Sequence, residues 1–308
     1  LKDSIIYLCK RLVTLLLSLL GIAAIVFFLV RLSGDPVSLY LPLDASPEQI
    51  TAMRANLGLD RPMIEQFYYF LVGVVHGDLG NSFSYGLPAL QVIKLPYIQT
   101  LKLVLVALCV ALLISIPAGI LAARKAGSST DSIVSTVSLL GQSIPTFWWA
   151  LMLILLFAVK LHWLPSSGVG TWKHMVLPAI TLGTFEAGMY ARIVRTSVLQ
   201  VMGQDYVRTA RAKGLTERKV IIKHVIRNAA LPTITAVGMQ FGSLMGGSVV
   251  TEVVFGYSGM GRLAVQAIFD RDFALTQAFV LVCAVTVALV NLLVDLAYSV
   301  LDPRVRMR

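Results

Sequence analysis

The chain has 308 residues, 57% of them hydrophobic and 14% charged, with a mean hydropathy of +0.79. Soluble chains run at roughly 45–50% apolar and about 25% charged, so the composition is that of an integral membrane protein. It excludes a disordered tail, a collagen-like rod and a disulfide scaffold, because Cys9, Cys109 and Cys283 are far apart and lie in or beside apolar runs.

A bilayer core about 30 Å thick takes about 20 apolar residues as a helix, whose backbone polar groups are satisfied within the segment. Six stretches meet that length: 12–30, 101–123, 132–159, 176–199, 231–254 and 276–300. The first is longer than a signal-peptide core and no A-x-A-like site follows it, so a retained helix is expected. With the N-terminus in the cytoplasm, 17 Lys and Arg fall inside and 9 outside, which fits the positive-inside rule with both termini cytoplasmic. The formal net charge of +10 then reports orientation, and nucleic acid is not an expected partner. Trp163 and Trp172, between the third and fourth spans, suit an outer interfacial belt.

Residues 31–100 form an outer segment with two amphipathic helices. Ser46 and Gln49 have capping-box spacing around Pro47, Ile50, Met53 and Leu57 share a face, and Gly58 stops the helix. Pro62 opens the next, Ile64, Phe67, Leu71 and Val74 recur at helical spacing, and Gly77 ends it. Such helices lie on the membrane surface, under a docked partner, or as a cap on their own bundle.

Residues 200–230 form a basic cytoplasmic loop with internal order. Asp205 is placed to cap a helix through Lys213, Gly214 is free to take positive φ, and Thr216 starts a second helix. On residue type alone the loop is either a protein-docking element or a basic stretch drawn to anionic lipid.

The run Asp205-Tyr206-Val207-Arg208-Thr209-Ala210-Arg211-Ala212-Lys213-Gly214, followed by His224 to Pro232, resembles the coupling loop of binding-protein-dependent ABC importers. More narrowly it resembles the permeases of the dipeptide, oligopeptide and nickel group. Further pieces agree in order: Gly34-Asp35-Pro36, Gly58-Leu59-Asp60-Arg61-Pro62, Gly77 to Ser82, Trp163-Leu164-Pro165, Glu252 to Phe255, Arg271-Asp272-Phe273 and Leu301 to Arg304. The chain departs from the general pattern at Thr209-Ala210-Arg211, where Glu-Ala-Ala is usual, and at Tyr257-Ser258-Gly259, where Trp-Pro-Gly is usual.

The resemblance implies an all-α membrane protein: six transmembrane helices in a single 1–308 permease domain of the type I ABC importer fold, multi-pass in a bacterial inner membrane. It implies a second, homologous permease as a heterodimer partner, two ATP-binding subunits, an extracytoplasmic substrate-binding protein and surrounding membrane lipid. The chain itself is expected to hold no cofactor or metal, with ATP and Mg used by the partner ATPases, since no Gly-x-x-x-x-Gly-Lys-Ser/Thr occurs in it. ATPase coupling is assigned to Tyr206, Arg208, Thr209, Ala210, Arg211, Ala212, Gly214 and Leu215, with the alanines allowing close approach and the arginines meeting acids of the ATPase.

Glu186, near mid-span, is the candidate for the translocation path, with an interhelical hydrogen bond or a pair with Arg192 as the structural alternative. Gly242, Gly246 and Gly247 make a small-residue face suited to the seam with a second permease. Glu252 and Asp295, near span ends, read as structural, and Pro117 and Pro145 as kinks or hinges. The expected function is import of dipeptides or oligopeptides. A glutathione or nickel-chelate importer is the alternative within the family, and an ATP-independent channel or secondary transporter the alternative outside it.

Overall fold

A computed structural model describes residues 2–32, 37, 41, 45–56 and 58–301, with side chains except those of 2–9, 12, 56 and 295–301. Gly34-Asp35-Pro36, Leu57, the Asp295 side chain and Asp302-Pro303-Arg304 therefore lie outside the described residues. All regular elements described are helices, in two compact units: Leu1–Gln99 with Gly259–Leu289, and Thr100–Ser258 with Val290–Arg308.

The first unit begins with α1 (Lys2–Leu32), followed by α2 (Pro47–Asn56) and α3 (Met63–Val75). The capping box forms as its spacing predicts: Ser46 N–H donates to Gln49 Oε1 at 2.9 Å and Gln49 N–H to Ser46 Oγ at 3.4 Å. Gly58 turns the chain at φ +66°. Helix α3 docks on α1 through aromatic rings, Phe67 and Phe70 each lying 5.3 Å from the Phe27 centroid, while Ile64 is 81% exposed. Phe67, Leu71 and Val74 of the expected face are half-buried together with Phe70, and only Ile64, in the first turn, stands outside it.

Asp272 organises the outer loop of this unit. It is buried before α12 (Phe273–Leu301), caps that helix by accepting from Leu275 N–H at 3.0 Å, and receives Ser82 Oγ at 2.5 Å and Ser84 N–H at 3.0 Å. Two sequence signatures some 190 residues apart, Gly77 to Ser82 and Arg271 to Phe273, are therefore one hydrogen-bonded unit. Helix α11 (Met260–Phe269) precedes them.

The second unit takes in most of α4 (Ala89–Arg124), which starts twelve residues before the expected span and passes Pro117 unbroken. Within the expected 132–159 span the kink or hinge read at Pro145 is a sharp bend: α5 (Ser129–Ser143) and α6 (Thr146–Leu153), extended by a π-helical stretch (Ile154–Lys160), meet at 99°. Pro145 causes the break, since its ring drives Ile144 to extended backbone at φ −79°, ψ 126°. Among the described residues four helical stretches are long and apolar enough to cross a membrane, Val13–Leu32, Ala89–Arg124, Glu217–Val254 and Phe273–Val294, and the bent pair makes a fifth if it is one span. Helix α7 (Lys173–Met202) matches the fourth expected span, yet its composition falls short of that test because Glu186, Arg192 and Arg195 interrupt it.

Helix α7 is the axis of this unit, with fourteen buried residues. Neighbouring backbones reach it where side chains are missing. A Cβ on Gly183 would stand 2.7 Å from Ala107 O, one on Gly119 2.7 Å from Ala191 O, and one on Gly188 2.5 Å from Ser138 O. By contrast, a Cβ on Gly246 or Gly247 would meet nothing within 4 Å.

Gly183→Val is expected to cost the isolated chain about 3 kcal/mol or more by overpacking, whereas Gly246→Ala changes its stability by less than about 0.5 kcal/mol. Thermal unfolding in mild detergent, followed by fluorescence-detected size exclusion, measures both.

Candidate functional site: the basic loop

The loop is a short helix fixed to the transmembrane helices on one side and open on the other. Gln204 supplies the extended residue before α8 (Asp205–Ala212), at φ −76°, ψ 148°, and its carbonyl accepts from Val207 N–H at 3.0 Å. Asp205 is therefore the first helical residue and not the cap, and its carboxylate pairs with Arg208 at 3.7 Å in full exposure. An acid in the first turn suits the helix dipole, but a pair so exposed adds little.

The C-terminus closes as a Schellman turn. Gly214 takes φ +77°, its N–H donates to Arg211 O at 2.9 Å, and Leu215 N–H donates to Ala210 O at 3.4 Å. Arg211 then pairs with Glu217 across the turn, Nε to Oε1 at 2.7 Å. After Thr216 the chain runs through α9 (Glu217–Lys219) and a π-helical stretch (Val220–Ile226) into α10 (Arg227–Val254). The predicted second helix is thus continuous with α10, the apolar stretch Glu217–Val254.

Two residues of α8 face inward. Val207 and Ala210 are buried in a core with Ala123, Val194, Val198, Val220, Val225 and Ala229. This corrects the expectation that Ala210 lies open for close approach by another subunit: the 3.6-residue period turns it toward its own chain. Tyr206, Arg208, Thr209, Ala212, Gly214 and Leu215 are exposed on the opposite side. Tyr206 also ties the helix down, its hydroxyl accepting from Asn228 Nδ2 at 3.0 Å. Arg211, expected to meet an acid of a partner, already has one in Glu217.

The support beneath the loop includes a pair that sequence reading left unmatched. Asp131 and Arg195 form a two-pronged ion pair, Nε to Oδ1 at 2.5 Å and Nη2 to Oδ2 at 2.7 Å, and Asp131 also accepts from Gly127 N–H at 3.0 Å. Such a fork fixes distance and orientation together, and joins α5 to α7. The sequence signal was a lone acid and a lone base at the edges of two apolar segments.

The remaining candidates are scattered. Glu186 is 5% exposed on α7, within hydrogen-bonding reach of Gln240 of α10, and forms no ion pair with Arg192. Tyr190, one turn on, is fully buried among Ala111, Ala187 and Leu112 with its hydroxyl unpartnered. Gly246 and Gly247 lie on an exposed face of α10, Gly242 is half-buried, and none of them belongs to the loop site. Glu252, expected at a cheap span end, is completely buried and accepts from Thr100 Oγ1 at 2.5 Å.

Comparison with known proteins supplies the context for this geometry. Residues 115–307 match the family described as binding-protein-dependent transport system inner membrane component, and residues 4–91 match its N-terminal companion. The chain is 40% identical over 301 residues to the glutathione transport system permease protein GsiC of Pectobacterium atrosepticum, covering 97% of this chain and 98% of the relative. It is 38% identical over 333 aligned positions to the dipeptide transport system permease protein DppB of Escherichia coli K12, with the same coverage. Among solved structures, the inward-facing MetNI methionine ABC transporter shares its fold at a TM-score of 0.58 and 19% identity, covering 68% of this chain and 96% of that one.

Ala210→Asp is expected to unseat α8, because a carboxylate in that core has no cation to meet and costs on the order of 3 kcal/mol. Ala212→Asp leaves the helix in place. Limited trypsin digestion at Arg208, Arg211 and Lys213 separates the two, with faster cleavage in the first variant alone.

Proposed function

The chain belongs to the binding-protein-dependent transport system inner membrane components, and from that premise we infer that α8 is the handle through which an ATPase drives it. It is a permease subunit of an ABC importer in the inner membrane, working with an ATPase and a substrate-binding protein. The observation that carries the handle is the two-sidedness of α8: Val207 and Ala210 are sealed into the core, while Tyr206, Thr209, Ala212 and Leu215 remain exposed.

A handle needs stiffness at its root and a free surface at its tip. The buried core, the Asn228 bond to Tyr206 and the Arg211–Glu217 pair supply the stiffness. Because the loop continues directly into α10, a displacement of α8 reaches the fifth span without passing through a flexible joint. The Asp131–Arg195 fork carries the same displacement to α5. In this reading two ATPase subunits, which use the ATP and Mg, close on this loop and on its counterpart in a second, non-identical permease. Both termini are cytoplasmic and six helices cross the membrane, α7 being the least apolar because its polar groups turn inward.

The proposed cargo is a short peptide. Relatives at 38–40% identity are named for dipeptide and for glutathione transport, and both ligands are small peptides with free carboxylate and ammonium groups. Glu186 is the proposed contact on the path, a buried acid without a cationic partner among the described residues, suited to a passing ammonium. Gly246 and Gly247, with open space where a side chain would stand, are the proposed seam with the second permease.

Thr209→Trp on the exposed face is expected to lower ATP-driven dipeptide uptake in proteoliposomes by about tenfold or more, the loss of 1.4 kcal/mol or more of docking. Trypsin sensitivity of the loop stays as in the parent. Full uptake and full recovery of the ATPase with this variant would refute the handle, and uptake persisting without ATP would favour a channel or secondary transporter.

Glu186→Gln is expected to leave assembly unchanged and to reduce uptake of peptides with a free N-terminus by about tenfold, the worth of one charge-assisted hydrogen bond. Uptake of N-acetylated peptide through the same complex serves as the control.

A further inference from the structure

The unit formed by Leu1–Gln99 and Gly259–Leu289 contains a cavity of about 560 Å³ that neither the handle nor Glu186 uses. That volume lies within the range of small-molecule sites, roughly 300–1,000 Å³. Its wall is mixed: Tyr69, Phe70 and Phe273 are aromatic, while Arg31, Asp78 and Gln277 are polar.

Two donors in this wall have bonding capacity to spare. Arg31 gives Nε to Gln66 Oε1 at 2.9 Å and lies 4.7 Å from the centre of the Phe27 ring, but its two terminal nitrogens bond to no described residue and no described carboxylate pairs with it. Gln277 lines the same wall at 5% exposure; its Nε2 is closed off from the cavity and has no hydrogen-bond partner among the described residues, so turning the amide inward breaks no bond of that nitrogen. A ligand that accepts from that nitrogen satisfies a donor that otherwise stays buried and unmade. Asp78, the acid in the wall, already accepts from Gly80 N–H at 2.9 Å. Arg61 stacks on Tyr69 at 4.7 Å and meets Glu65 on its exposed side at 3.3 Å.

We propose that this cavity binds the carboxylate of a small acid or short peptide, with Arg31 and Gln277 as its donors. A planar carboxylate offers two oxygens to a guanidinium fork and has lone pairs left for an amide N–H. A cation is repelled by Arg31 and Arg61 in the same wall. The aromatic residues accept the apolar side chain beside the carboxylate. The site lies in the segment that the importer reading puts outside the membrane, and it rests on that reading only for the side from which the ligand arrives.

The test uses the assembled importer in nanodiscs, without binding protein or nucleotide, and isothermal titration with Ala-Phe and with Ala-Phe amide. Ala-Phe is expected to bind saturably, and the amide, Arg31→Gln and Gln277→Leu each to weaken binding by about tenfold, as loss of a charge-assisted or buried hydrogen bond requires. Should Arg31→Gln fail to assemble, Gln277→Leu decides, because it replaces an unpartnered amide with an apolar side chain. Equal affinity for acid and amide, or parental affinity in Gln277→Leu, overturns the proposal. So does Arg31→Gln that weakens docking of the binding protein while Ala-Phe gives no heat, for the cavity would then accept an acidic side chain of that protein. Binding-protein-stimulated ATP hydrolysis is read on the same preparation: hydrolysis without Ala-Phe binding sinks the site and leaves the importer reading standing.

Discussion

The close approach of helix backbones to α7 is the constraint on which the second unit depends. In a membrane the hydrophobic effect does not drive helices together, so association rests on van der Waals contact, which needs surfaces without projecting side chains. Gly119, Gly183 and Gly188 provide those surfaces at three contacts, two between α4 and α7 and one between α5 and α7, and a Cβ at each would stand within 2.7 Å of a carbonyl oxygen. With α7 held in this way, Val194 and Val198 near its C-terminal end become the floor on which Val207 and Ala210 of the loop sit.

The loop then inherits its rigidity from the transmembrane part. A basic loop of this composition is free to spread on anionic lipid, and here it is held off by specific attachments: a small apolar core, a Schellman turn at Gly214, and single polar bonds from Asn228 and Glu217. Exposed ion pairs alone contribute little. It is the buried core that sets the position of the helix, and the polar bonds set its rotation. That division explains how α8 shows a largely polar face to a partner and remains ordered within one chain.

The first unit is built on a different principle. The loop between α3 and α4 is gathered around one buried carboxylate, Asp272, which serves as helix cap and loop anchor together. Burying an acid is costly unless its lone pairs are taken up, and three donors take them up here. The cavity beside this loop has the reverse character, with donors not yet matched.

Much of this protein was legible in the sequence by itself. Apolar run length gave the membrane class, capping and turn residues gave the two outer helices and the loop helix, and Gly58, Gly77 and Gly214 gave turns that all take positive φ. These features are local, decided by residues within a turn or two of one another. Tertiary structure alone decided which side of α8 faces home, that Pro145 folds the third span through 99° while Pro117 leaves α4 unbroken, and that Ser82 meets Asp272. It also decided which glycines carry packing: Gly246 and Gly247 of the visible cluster have open space, and the isolated Gly119, Gly183 and Gly188 do not. The physical reason is common to all four. Periodicity and capping are properties of a segment, whereas the partner of a side chain, or of a missing one, depends on residues brought near by the fold from distances in sequence that no local pattern spans.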